Sequence, residues 1–218
     1  MEQEPGKNIK SKLTVEGLIN YIDTSVEGLI FDMDGTLTDS NPAHLMAWNR
    51  ACSHFGLTYP REKFYYYAGL PSDRIAEDLV LQSGMTGKVD PAALSARKEM
   101  EFHRLEEMVR PVTEVFTLLK HFHGRLPVAL GTGRRRTSTY RTLEHLDLLK
   151  YFDIIVTSDD VEHPKPAPDT FLRCAAMMGL QPEQCLVFED AARGLEAARH
   201  AGMKVVDVRP WLPPMDLT

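Results

Sequence analysis

Five short apolar runs, at residues 27–32, 126–132, 153–157, 184–189 and 204–208, constrain this chain more than any other feature of its sequence. Each has the length of a buried strand rather than a helix. Three of the gaps between successive runs carry helical patterns: "TSTYRTLEHLDLL", "DTFLRCAAMMG" and "ARGLEAARHAG". Strand, helix and strand repeated in this way require parallel pairing through crossover helices. The expected fold is therefore α/β, a doubly wound parallel sheet with helices on both faces.

The gap after the first run, residues 33–125, is far longer than a crossover needs. It opens with Asn41 as an expected N-cap and Pro42 at the first helical position. Leu45, Trp48, Cys52 and Phe55 then recur at helical spacing up to Gly56. "SDRIAEDLVLQSG" fits a second helix, and a third opens at Asp90-Pro91 and runs through Leu94, Glu101 and Leu105. "TEVFTLLKHFHG" leads back to the second strand. The expected division is an N-terminal extension (1–25), an α/β core (26–41 and 111–218) and an inserted helical cap (42–110). Within the extension, "MEQEPGKNIKSK" reads as a mobile tail, and Leu13, Leu18, Ile19 and Ile22 space out an amphipathic helix. The insert leaves the C-terminal end of the first strand, where ligands bind in such sheets, so its position suits a lid.

Composition narrows the function classes. With 25 Lys and Arg against 31 Asp and Glu, the net charge of −6 argues against a nucleic-acid partner. No apolar run approaches the roughly 20 residues that span a bilayer, and the N-terminus lacks a secretory signal. Cys52, Cys174 and Cys185 are scattered inside apolar patterns and read as reduced thiols. The expectation is a cytoplasmic monomer with neither nucleic-acid nor membrane partners.

In a parallel sheet, the residues just after each strand gather at one edge. Asp32, Asp34 and Thr36 come after the first run, and Thr132 stands between glycines in "ALGTGRRR" after the second. Lys165 sits between prolines in "HPKPAPD" after the third, and Glu189 and Asp190 end the fourth in "VFEDAARG". Two carboxylates at the end of a buried strand are costly unless something positive compensates. Read singly, Asp34 is a turn residue before glycine, Lys165 a solvated lysine, Glu189 and Asp190 helix caps, and Thr132 a residue satisfying its own turn. Read together they form a cation site, and a hard cation, because every available ligand is oxygen.

The stretches "FDMDGTLTDS", "LGTGR", "PKPAPD" and "VFEDAARG", in this order and spacing, resemble the four motifs of the haloacid dehalogenase-like superfamily. The helical insert resembles its subclass-one cap, and the chain is similar to the beta-phosphoglucomutase-like group over about residues 26–209. The resemblance implies a Mg²⁺-dependent phosphatase acting on a small phosphorylated sugar or sugar acid, such as fructose 1-phosphate or 6-phosphogluconate. Asp32 is then the nucleophile that forms an aspartyl-phosphate, and Asp34 the acid and then the base. Mg²⁺ would be held by Asp32, the main-chain carbonyl of Asp34 and Asp190, with Glu189 a further ligand or a support. Lys165 would neutralise Asp32 and a phosphoryl oxygen, and Thr132 would donate to another. Gly131 and Gly133 would allow close backbone approach. His44, Arg74, Lys98, Gly133 and Arg134 are the candidate substrate contacts, with Arg97 beside Lys98 as a further cap cation. Of Arg134, Arg135 and Arg136, at least two read as solvated helix charges. The alternative implied by the same resemblance is a phosphosugar mutase. It calls for a fixed cap arginine where Ser72 stands, and Arg74 lies two residues further on.

Overall fold

A computed structural model describes residues 8–9 and 14–215. In chain order its elements are β1 (Asn8–Ile9), α1 (Val15–Ser25), β2 (Gly28–Phe31), β3 (Thr38–Asp39), α2 (Asn41–His54), α3 (Phe64–Tyr67), α4 (Ser72–Gln82) and α5 (Pro91–His103). Then come β4 (Arg110–Pro111), α6 (Thr113–Phe122), β5 (Val128–Gly131), α7 (Arg136–His145), β6 (Ile154–Val156), α8 (Asp169–Met178), β7 (Cys185–Glu189), α9 (Ala192–His200) and β8 (Lys204–Asp207).

All five apolar runs become neighbouring strands of one sheet, in the order β1-β8-β7-β2-β5-β6. Every pairing in it is parallel. The central strands alternate between two cores because successive side chains point to opposite faces. Leu29 and Phe31 of β2 join Leu130, Leu186 and Phe188 on the face covered by α1 and α6. Ile30 joins Ala129, Val187 and the α8 residue Phe171 on the other. Phe31 stacks on Phe188, with ring centroids 4.7 Å apart, and ties the two strands that carry the acidic residues. Such a pair is worth about 0.5–1.5 kcal/mol beyond its buried area.

One expectation for the N-terminal residues changes. Asn8 and Ile9, inside the stretch read as a mobile tail, pair with Val205 and Val206 and add a sixth strand at the sheet edge. The rest of residues 1–13, Leu13 included, lies outside the described residues. The amphipathic helix is present as α1, and its apolar spacing buries Leu18 and Ile22 in the core.

Where the chain leaves for the insert and where it returns, β3 and β4 pair antiparallel, Thr38 with Pro111 and Asp39 with Arg110. Between them α2, α4 and α5 bury Leu45, Trp48, Cys52, Ile75, Leu79 and Leu94 in a cluster of their own. The N-cap of α2 is Ser40 rather than Asn41, and its side chain makes no capping bond. Both side chains are drawn into the acidic site instead. Beyond β8 the chain passes from one body to the other: Trp211 and Leu212 pack on the sheet core, and Met215 on the insert's cluster.

Candidate active site

Asp32 follows the last residue of β2 and is buried at the C-terminal edge of the sheet. Lys165 Nζ donates to Asp32 Oδ1 at 2.6 Å and to Glu189 Oε2 at 2.7 Å. Its third donor reaches the Gly131 carbonyl at 3.3 Å, so the ammonium proton set is used up. Glu189 Oε1 accepts from the backbone N–H groups of Asp190 and Ala191, at 3.0 and 2.9 Å. Thr36 Oγ1 donates to Asp190 Oδ1 at 3.1 Å. Gly35 is left-handed, with φ 75°, and a Cβ there would lie 2.2 Å from Asp190 Oδ2. The turn that brings Asp190 beneath the first motif therefore requires glycine.

Asp34 turns the other way. Its Oδ1 accepts from Ser40 Oγ at 2.7 Å and from Arg134 Nη1 at 3.4 Å. His44 Nε2 lies 3.0 Å from the same oxygen, off the line a hydrogen bond needs. The imidazole stacks on Phe102 with centroids 4.2 Å apart. Asp34 borders a cavity between sheet and insert that is lined also by His44, Trp48, Lys98, Gly133 and Arg134. Arg134 lies over the Phe102 ring at 4.6 Å, and its Nη2 donates to Ser138 Oγ at 2.5 Å. Ser138 Oγ donates to Glu99 Oε2, and Glu99 Oε1 accepts from Ser72 Oγ and Lys98 Nζ, all at 2.8 Å.

The two aspartates differ electrostatically. Burial, reinforced by Glu189, pushes the Asp32 carboxyl up to about 8 despite the opposing Lys165. Burial and the charges of Glu189 and Asp32 likewise raise Asp190. Asp34 is also penalised by burial, yet Arg134, His44 and Ser40 outweigh that and hold it well below the usual carboxylate range. Burial and the Lys98 charge lower His44 to about 4, so the ring is neutral near pH 7.

Asp32, Glu189 and Asp190 offer one oxygen each within 4.8 Å of one another, all buried. Three buried carboxylates face a single lysine, which leaves an excess of negative charge that only a further cation or bound protons can balance. The donors are all oxygen and the charge is dense, so the residues fit a hard divalent ion. Both Glu189 oxygens are engaged, one by Lys165 and the other by two backbone N–H groups, so its side chain is fixed between Asp32 and Asp190.

Comparison with known proteins decides the family. The haloacid dehalogenase-like hydrolase model matches residues 29–208. The chain is a member of that family. It is 47% identical to fructose-1-phosphate phosphatase YqaB of Escherichia coli over 184 residues, 84% of this chain and 96% of that protein. It is 30% identical to a phosphorylated carbohydrates phosphatase of Thermotoga maritima over 183 residues, 82% of this chain and 83% of that one. The crystal structure of a hydrolase from Pseudomonas syringae superposes with a TM-score of 0.74 at 27% identity, covering 84% of this chain and 85% of that one.

In this hydrolase the structure gathers the residues of all four motifs at one sheet edge, while two of the expected cap cations turn away. Arg74 does not reach the cavity: its side chain is 65% exposed and pairs with Glu77 on its own helix. Arg97 also turns away and pairs with Glu101 at 2.8 Å. The Asp34 side chain lies outside the carboxylate group that could hold a metal, and the expectation for that ion names its main-chain carbonyl instead. Thr132 Oγ1 accepts from the Arg134 N–H at 3.2 Å, a bond within its own turn that leaves the hydroxyl proton for another acceptor. Of the three arginines, Arg135 pairs with Asp73 and Arg136 with Asp160 on exposed surface, while Arg134 is buried in the site. Lys98 is buried and faces the cavity. Sequence reasoning did not find Ser40, Glu99, Phe102 or Ser138. Nothing in "SARKEMEF" separates Glu99 from a solvated helix charge, and Ser40 reads as an ordinary residue at a helix start.

Proposed function

We propose that this hydrolase is a Mg²⁺-dependent phosphatase of small sugar phosphates. One observation carries the reading: two aspartates a residue apart occupy opposite environments, Asp32 beneath Lys165 among buried acids and Asp34 at the cavity wall. That is the separation of roles that two-step phosphoryl transfer needs. The α/β core is assigned to residues 26–41 and 111–218, and the cap to 42–110. The phosphatase relatives support the substrate class, and the names of two of them support fructose 1-phosphate or a similar sugar ester as first candidates. No helix among the described residues is long and apolar enough to cross a membrane, which is compatible with a cytoplasmic enzyme.

An Asp32 carboxylate oxygen attacks phosphorus, and the bond from phosphorus to the sugar oxygen breaks. Asp34 hands its proton to the departing alkoxide, and the sugar leaves. Asp34, now ionised, takes a proton from water. The water oxygen attacks phosphorus, the Asp32–phosphorus bond breaks, and inorganic phosphate departs. Lys165 keeps Asp32 oriented and shares its charge throughout. Mg²⁺ bound by Asp32, Asp190 and the Asp34 carbonyl would neutralise the charge on the phosphoryl oxygens. In the unloaded site Asp34 is ionised, as its second role requires. Its first role requires a proton, which it takes up from solvent water when an incoming phosphate competes for the Arg134 guanidinium.

The test is phosphate release from a panel of sugar phosphates with Mg²⁺ or with EDTA, alongside Asp32→Asn. Release is expected to need the metal and to vanish in the variant, because an amide is a poor nucleophile. Activity that survives either change rejects the mechanism. The mutase reading has less support: Ser72 stands where it calls for an arginine and is bonded to Glu99, and Arg74 faces solvent.

A further inference from the structure

Arg134 stands at the seam between the sheet and the helical cap and is held from both sides. From the core, Ser138 in the first turn of α7 accepts its Nη2 proton at 2.5 Å. From the cap, the Phe102 ring covers the guanidinium face at 4.6 Å. A guanidinium is a rigid plane of donors, so fixing one nitrogen and one face leaves a single orientation. In that orientation Nη1 falls 3.4 Å from Asp34 Oδ1.

The Ser138 hydroxyl has one proton and spends it on Glu99 Oε2, 2.8 Å away on α5. That commits its lone pairs to Arg134. Glu99 is itself anchored within the cap by Ser72 and Lys98, both at 2.8 Å. A continuous chain of hydrogen bonds therefore runs from α4 and α5 of the cap, through one hydroxyl of the core, to the guanidinium beside Asp34. Ser138 and Arg134 are both buried, so the bond between them is shielded from water.

We propose that Ser138 and Glu99 are positioning residues: they form a cap-to-core bridge that fixes Arg134 at the leaving-group side of Asp34. This rests on the phosphatase reading with Asp34 as proton donor. A sugar alkoxide cannot depart without a proton, whereas p-nitrophenolate is stable enough to leave without one. Held 3.4 Å from Asp34, the guanidinium is free to meet an incoming phosphate rather than close on the carboxylate, and Asp34 can then take up the proton that a sugar leaving group needs. The bridge therefore matters for sugar phosphates and not for p-nitrophenyl phosphate. Ser138 does not line the cavity, so its effect is transmitted rather than made by touching the sugar.

The experiment measures kcat/KM, which reports steps through transfer to Asp32, for a sugar phosphate and for p-nitrophenyl phosphate. Wild type, Ser138→Ala, Glu99→Gln and the double variant are compared. Each single change is expected to lower the sugar value about tenfold, a fraction of what general acid catalysis contributes, and to leave the aryl value within about twofold. The double variant is expected to lose no more than the worse single one, since both cut the same chain. Equal losses on both substrates mean that the bridge merely holds the fold, and overturn the proposal. So do multiplicative losses, or a silent Ser138→Ala beside an impaired Glu99→Gln, which is the pattern of a glutamate that only binds sugar. A wild-type chain that hydrolyses neither compound fails the phosphatase reading itself, and the proposal falls with it.

Discussion

At the scale of single residues, the site depends on small side chains as much as on charged ones. Gly194 lies on α9 directly behind Glu189, and a Cβ there would stand 1.9 Å from Glu189 Oε2. Both carboxylate oxygens have fixed partners, so the side chain cannot yield without releasing Lys165 or the backbone N–H groups. Gly194→Ala is expected to cost about 1–3 kcal/mol in urea unfolding, as overpacking does, and to impair hydrolysis as well. A variant as stable and as active as wild type would refute this account of Glu189. Residues of the motifs were legible in the sequence because each chemical type has few reasons to occur at a strand end. Asp32, Lys165 and Asp190 could be placed for that reason. Glu99 and Ser138 could not, because their partners lie far along the chain and a lone acid or hydroxyl on a helix is ordinarily solvated. Arg74 misled for the converse reason: it lies in the first turn of an expected cap helix, close to the site, but the helix turns the side chain outward.

Among elements, the contact that matters most joins the loop after β5 to the loop before α4. A Cβ on Gly133 would lie 2.7 Å from the Gly69 carbonyl oxygen, a backbone atom that cannot swing aside. The Gly133 backbone is not left-handed, so alanine is conformationally allowed and only the approach of the cap is obstructed. Gly133→Ala is therefore expected to melt within a degree or so of wild type, while kcat/KM for sugar phosphates falls by about 10²-fold, the loss typical of a misplaced site. Thermal melts and steady-state kinetics on the same preparation test this, and a fall in stability that matches the fall in activity would contradict it. The strands and helices that make up this seam were legible because both periodicities were strong. Their exact meeting was not: the spacing of "LGTGR" shows a loop that suits close approach, and only the fold shows that the approaching group is another backbone. The N-cap of α2 failed in the same way. Asn41 has the right chemistry for capping, but Asp190 competes for its side chain, and Asp34 for that of Ser40.

For the whole molecule, metal and proton compete for the same buried charge. Without a cation, Asp32 holds its proton up to about pH 8, because burial and Glu189 disfavour its ionised form, whereas in the unfolded chain it ionises near pH 4. A folded-state value raised in this way contributes stability that is fully present below about pH 4 and is lost progressively as the pH rises to about 8. The metal-free protein is therefore expected to melt at lower temperature at pH 8 than at pH 6. Mg²⁺ binds the ionised carboxylates and removes the penalty, so its stabilising effect grows over the same interval. At a hundredfold excess over its dissociation constant the ion supplies about 2.7 kcal/mol, or about 5–11 °C for a chain of this length. Melting curves at pH 6, 7 and 8, with Mg²⁺ and with EDTA, read both slopes. Asp32→Asn has no proton to lose at that position, so its metal-free melting temperature is expected to vary less with pH than that of the wild type. A metal-free wild type that is equally stable at pH 6 and pH 8 would mean that Lys165 alone balances the acids, and that the buried charge creates no demand for a cation.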